Sequence, residues 1–142
     1  MRTLSQKRAE YALRFIIGDV LEKISKDKKP EEFANFVAGA PAAILKNGLG
    51  QTLAFWYQKG FSKGKENENE NERKYALLLN AIKKWLSLKE GDIDNNFIEE
   101  RQEVKDFLLE LSRLGQKEYQ ACQVEVLRLL EWIKRYANAE LK

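Results

Sequence analysis

The chain is predicted to be all-α: a compact bundle of about six helices forming a single domain, residues 1–142. Three observations predict this. Apolar residues recur at three-and-four spacing along most of the chain, the mark of a helix with one buried face. No segment alternates apolar and polar residues, and the branched residues sit at helical spacing, so a parallel sheet with its nucleotide crevice has nowhere to form. Proline or glycine punctuates the periodic segments at Pro30, Pro41, Gly48, Gly60, Gly91 and Gly115. A domain of this size buries roughly two-thirds of the surface its unfolded chain exposes.

The first helix is expected from about Leu4 to Ser25. Thr3 is its cap, and Gln6 three residues later completes a capping box. Leu4, Tyr11 and Phe15 line one side, and Leu13, Ile17, Val20, Leu21 and Ile24 line another, so this helix is apolar around most of its circumference and should be central in the bundle. Lys26 to Lys29 reads as a charged turn. Pro30 opens a second helix carrying Phe33, Phe36, Val37 and Ala40, and Pro41 is expected to end it, because a proline inside a helix removes a hydrogen bond. From Pro41 to Gly60 two short apolar helices should meet at a corner. Gly48 would close the first, Gly50 would free the chain to turn, and Ile44, Leu45, Leu53, Phe55 and Trp56 would be buried.

Lys63 to Glu72 has no apolar residue to bury and is expected to be a mobile loop. A fourth helix starts near Glu70 to Arg73, with Tyr75, Leu78, Leu79, Ile82 and Leu86 opposite Asn80, Lys83, Lys84 and Ser87, and Gly91 stops it. Asp94 or Asn95 is the candidate cap of a fifth helix whose Phe97, Val104, Phe107, Leu108 and Leu111 share a face, ending near Leu114. The last helix, from about Gln116 to Leu141, aligns Tyr119, Cys122, Val126, Leu129, Leu130, Ile133 and Ala137.

Composition removes most enzyme classes. There is no histidine, and with it go the commonest general base, the commonest metal ligand and every Ser-His or Cys-His nucleophile. Cys122, the one cysteine, lies on the apolar stripe of the last helix and reads as a small buried hydrophobe. Glu99, Glu100 and the acidic run from Glu66 to Glu72 lack an apolar surround that would raise a carboxyl pKa, and they read as solvated charge. No enzyme activity, metal or cofactor is expected. The first dozen residues are polar, and no apolar run approaches the roughly 20 residues a bilayer requires. A soluble, cytoplasmic chain is therefore expected, and a lone cysteine fits a reducing cytosol. The net charge of +3 is divided unevenly: residues 1–65 hold 12 Lys and Arg against 6 Asp and Glu, residues 66–142 hold 13 against 16. A basic half suits phosphate, and an acidic half suits a basic neighbour.

Each candidate site has an ordinary alternative. Lys7, Arg8 and Arg14 form the densest basic group, with Lys7 and Arg14 on one polar strip; they could clamp phosphate or simply solvate a helix. Lys46, at the corner, could bind phosphate or complement the carboxyl end of a helix. Gly48 to Thr52 lacks the third glycine and the Lys-Ser/Thr pair of a phosphate loop and reads as a helix corner. Arg128 stands one turn before Trp132, with Lys134 and Arg135 beyond; the arginine could stack on the indole at a protein interface, or Trp132 could be a core ring with a covered edge.

Three segments carry a resemblance. Asn47 to Phe55 reads Asn-Gly-Leu-Gly-Gln-Thr-Leu-Ala-Phe; Met1 to Ala12 reads Met-Arg-Thr-Leu-Ser-Gln-Lys-Arg-Ala-Glu-Tyr-Ala; Glu125 to Ala137 reads Glu-Val-Leu-Arg-Leu-Leu-Glu-Trp-Ile-Lys-Arg-Tyr-Ala. In that combination the chain resembles the small all-helical subunit of type III-B (Cmr, RAMP module) CRISPR effector complexes. The resemblance implies a non-catalytic structural subunit whose copies stack in a minor filament, beside the large polymerase-like subunit and the backbone subunits that grip the guide. Guide and target RNA would be met mainly through phosphate, with cleavage left to other subunits; the resemblance does not identify the side chains, and Lys7, Arg8, Arg14 and Lys46 are the candidates by charge and position. Arg128, Trp132 and Arg135 are the candidate protein interface. The tract from Lys63 to Glu72 is not part of the family pattern. A reading of another class is a free-standing helical adapter that joins two proteins through the Trp132 and Trp56 regions and never meets nucleic acid. A third is a small hydrolase using Cys122 or an acidic pair.

Overall fold

Residues 1–24, 26–27 and 29–142 are described by the computed structural model. The expected end of the first helix at Ser25, and Lys28 of the charged turn, lie outside them. An α-helix at Leu4–Arg14, a π-helix at Phe15–Val20 and a last α-helical turn at Leu21–Lys23 run on as one rod, α1. The capping box is present: Thr3 Oγ1 accepts from the Gln6 amide at 3.1 Å, and Gln6 Oε1 accepts from the Thr3 amide at 2.7 Å.

The π-helix follows from spacing. Ala12, Ile16, Val20 and Ile24 are all buried, each four residues after the last. An α-helix turns 100° per residue, so strict fours would drift about 40° per step, and the wider turn holds them on one face. Leu13, Ile17 and Leu21 repeat the same interval just outside, half-exposed or exposed. The rod is apolar around most of its circumference, yet only one of its faces is core and another is wet.

Helix α2 is a single helix, Lys29–Asn47, and Pro41 lies inside it rather than ending it. The proline forfeits one backbone bond. Phe33, Val37, Ala40 and Ile44 nevertheless form one buried stripe straight through it, and packing of that stripe along the last helix outweighs the loss. Gly48, at φ +86°, separates α2 from α3, Leu49–Gly60, in a conformation a side chain would strain. Leu53 and Trp56 are buried here, as expected. Leu45 and Phe55 are not: they stand 71% and 48% exposed, because neither falls on the stripe its helix buries.

Part of the expected loop is a hairpin. β1, Phe61–Ser62, pairs antiparallel with β2, Lys65–Glu66, around Lys63 (φ +53°) and Gly64 (φ +82°), the pair of positive φ angles of a type I′ turn. Helix α4, Arg73–Leu86, follows, and a second hairpin, β3 Lys89–Glu90 with β4 Ile93–Asp94, turns at Gly91. Strands of two residues are too short to show alternation. Asn95 does not cap a fifth helix. Its buried amide donates to the Trp85 carbonyl (2.7 Å), closing the end of α4. Helix α5 begins only at Val104 and runs to Arg113; α6 spans Gln116–Leu141, as expected.

Six helical rods among the described residues therefore carry the fold. α1 and α2 pack along α6, α3 packs on α4, and α5 closes over α3 and α4. Trp85, Phe33, Phe107, Ile16, Leu53, Leu78 and Leu129 are among the fully buried side chains at the centre, each contributing about 1.5–3 kcal/mol relative to exposure. No helix among the described residues is long and apolar enough to cross a membrane.

Candidate nucleic-acid interface

The basic group of α1 is split by the helix that carries it. Arg8 faces inward, 6% exposed. Its Nε donates to Glu125 Oε2 and its Nη2 to Glu125 Oε1, both at 2.7 Å, while the Trp85 indole N–H donates to the same Oε2 at 2.9 Å. This knot ties α1, α4 and α6 together, so the Arg8 guanidinium is engaged inside the molecule, unlike the other three candidate RNA-binding residues. Tyr11 lies beside it, its ring 4.9 Å from that of Trp85 and its hydroxyl donating to the Ala81 carbonyl at 2.7 Å. Burial pushes the Tyr11 phenol well above its usual range.

Lys7 and Arg14 stay toward solvent, next to the β3–β4 hairpin. Arg14 pairs with Glu10 at 3.0 Å and approaches Glu90 at 4.0 Å. Arg2 grips Asp92 through two bonds, 2.7 and 2.9 Å, and reaches Glu10 at 2.7 Å. Those bonds, with a smaller contribution from the charge of Lys7, hold the Asp92 carboxyl down at about 2. The basic strip is therefore interleaved with acid.

The α2–α3 corner differs. The Leu49 amide donates to Gln123 Oε1 (2.9 Å) and the Gly50 amide to the Tyr119 hydroxyl (2.7 Å), so α6 caps two of the four amides that a helix start leaves free. Gly50 lies within α3 and serves close approach rather than a turn: a Cβ there would stand 3.2 Å from the Tyr119 hydroxyl. Lys46 is exposed and belongs to none of the ion pairs among the described residues. It forms the lip of a groove of about 840 Å³, walled by Asn35, Asn47, Gln51 and four aromatic residues, Phe36, Phe55, Trp56 and Tyr75. Phe36 lies 4.9 Å from Tyr75 at 67°, and Phe55 lies 6.1 Å from Tyr75 at 88°. The Lys59 ammonium sits 5.8 Å from the Phe55 centroid and that of Lys74 5.5 Å from the Tyr75 centroid, distances at which a cation is attracted to a ring.

On α6, Arg128 and Arg135 are exposed and Trp132 is half-buried. Of the two readings of Trp132, the ring edge against the core is the one seen: Trp132 is half-buried and stacks on Tyr136 at 6.0 Å and 26°. Trp56 is 3% exposed and packs edge-on against Phe36, so it is no anchor for an adapter. Burial pushes the Cys122 thiol up to about 11, and its Sγ lies 3.3 Å from the Phe97 carbonyl as a donor, a poor setting for a nucleophile. Among the described residues no group of three potential ligands is placed to hold a metal ion.

Sequence reasoning missed Glu125, Trp85, Gln123 and Tyr119 in these roles. Glu125 left a signal: it falls on the stripe of Cys122, Val126 and Leu129, and a carboxylate at a core position demands a partner. Arg8 left the matching one, four residues before buried Ala12.

Two comparisons bear on this arrangement. A family model described as "CRISPR-associated protein (Cas_Cmr5)" matches residues 4–140. The chain is also similar to the CRISPR system Cmr subunit Cmr5 of Thermotoga maritima, at 25% identity over 135 residues, covering 95% of this chain and 82% of that relative.

Proposed function

The chain belongs to the Cmr5 family of CRISPR-associated proteins, and from that membership we propose that it is a non-catalytic structural subunit of a type III-B effector complex that touches RNA mainly through phosphate. The observation that carries this reading is the extent of the family match, residues 4–140, which takes in every helix but for the final residue of α6. Copies of the chain stack in a minor filament, beside the large polymerase-like subunit and the backbone subunits. Guide and target RNA are met by cations that remain accessible, Lys7, Arg14 and Lys46, and Arg8 is left out because Glu125 holds it. Arg128, Trp132 and Arg135 on α6 face a protein neighbour.

Phosphate contact through a few exposed cations is weak, indifferent to sequence and steeply weakened by salt. The test is recovery of the tagged chain from cells that carry the whole system. Co-purification of guide RNA with several other subunits supports the reading. A chain that emerges with those subunits but without RNA removes the RNA part, and a chain that emerges alone removes both parts.

A further inference from the structure

We infer that the groove between α2, α3 and the start of α4 is a stacking site for the unpaired bases of single-stranded RNA. The inference rests on the reading above that the subunit meets RNA, and it adds where the bases go. Phe55 is a large ring left 48% exposed in a chain whose Phe15, Phe33 and Phe107 are buried. With Tyr75 nearly perpendicular at 88°, it makes a corner into which a flat heterocycle fits, face on one ring and edge toward the other.

One cation, Lys46, lines the groove, and two more lie outside the lining, the Lys59 and Lys74 ammonium groups standing 5.8 and 5.5 Å from the Phe55 and Tyr75 centroids. Successive bases on aromatic platforms flanked by backbone-tracking cations are the common chemistry of single-strand binding. Asn35, Asn47 and Gln51 wall the groove, and among the described residues their side chains make no hydrogen bond to the protein, leaving donors and acceptors for base edges.

Charge argues for this occupant over an apolar segment of another protein. No carboxylate lines the groove, whereas the clefts near Arg2, Lys83, Arg135 and Arg128 each include Asp or Glu. Glu72, outside the lining, is the carboxylate whose field reaches the Tyr75 hydroxyl, where burial is the larger influence. The volume of about 840 Å³ falls in the range of small-ligand sites. Gly39 keeps one wall low, since nothing lies within 4 Å of where its Cβ would be.

The test uses the purified full chain and the complex reassembled around it, with two labelled probes: a short oligoadenylate and an abasic ribose-phosphate strand of equal length. Wild type is expected to prefer the oligoadenylate about tenfold, the worth of one stacked base. Phe55→Ala should erase that preference. So should Gly39→Leu, which fills the groove from an open helical position and alters no ring. Lys46→Ala should weaken both probes alike. Equal binding of the two probes by wild type, or a preference that survives both groove variants while salt and Lys46→Ala still weaken binding, overturns the stacking site and leaves the phosphate reading intact. Absence of binding to either probe, by chain and by complex, overturns both. Variants that bind RNA as wild type does but no longer assemble with the other subunits assign the groove to protein, which also overturns the inference.

Discussion

Two regions of this molecule break the rule that apolar side chains go inside and charges outside, and they break it in opposite directions. In the knot of Arg8, Glu125 and Trp85, an ion pair sits where hydrocarbon is expected, with 8% and 3% side-chain exposure. At the groove, Phe55 faces water where a cation or amide is expected. The first violation is internally satisfied: the carboxylate receives three hydrogen bonds, and among the described residues no buried side-chain polar atom lacks a partner. The second is unsatisfied, since exposed rings gain nothing from solvent. A satisfied exception marks what holds three helices together, and an unsatisfied one marks a surface waiting for something flat.

The contrast is broken most directly at Glu125. Glu125→Ala strands a buried guanidinium and is expected to cost about 3–5 kcal/mol, read as a fall in Tm of about 10 °C in a thermal melt. The double change Arg8→Met with Glu125→Leu removes both charges and should recover part of that loss, because the desolvation cost goes with them while the buried Trp85 indole N–H is left without its acceptor. A single variant that melts with wild type would erase the distinction between the regions. Phe55→Ala should cost only about 1 kcal/mol in denaturant unfolding, well under the 3–5 kcal/mol of a buried phenylalanine, since half of the ring is already wet. Gly39→Ala acts in the opposite sense. A helical position with open space around it should gain about 0.5–1 kcal/mol in the same assay.

The smallest effect is at the acid-laced basic strip. Asp92 is held from its ordinary 3.8 down to about 2, first of all by its hydrogen bonds from Arg2. A carboxylate depressed on folding supports the folded state above its ordinary value, and that support disappears as pH falls from near 4 to near 2. Both partners are exposed, so the change is local. NMR titration should show the β3–β4 hairpin amides shifting in that window while α6 stays fixed, and Arg2→Gln should move the transition up toward 4.

The helical class was legible because amphipathic period and caps are local signals: the Thr3 capping box, the α4 stripe and the full length of α6 could all be read directly. Elements that depend on distant partners could not. Pro41 stays helical because Phe33 to Ile44 pack along α6, and residues 95–103 stay irregular because Asn95 and the Phe97 amide turn back to close α4. The candidate site was half legible for the same reason. Lys46 at an exposed corner was readable, but Arg8 is partnered by a residue 117 positions away, and a charge on a helix reads as solvated until that partner is seen. Phe55 was misread because hydropathy records what a ring prefers, not whether the bundle has room for it.

The wide turn in α1 has a consequence for length. Removing one residue between Ile16 and Val20, Gly18 for example, would convert the interval pattern of Ala12, Ile16, Val20 and Ile24 from 4-4-4 to 4-3-4. That is the pattern α2 already shows at Phe33, Val37, Ala40 and Ile44, and an ordinary α-helix keeps it on one side. The chain thus carries one spare residue at this place, and a deletion there leaves both flanking segments in phase. The same deletion near Ala12 would swing everything after it by about 100° and put Ile24 into water.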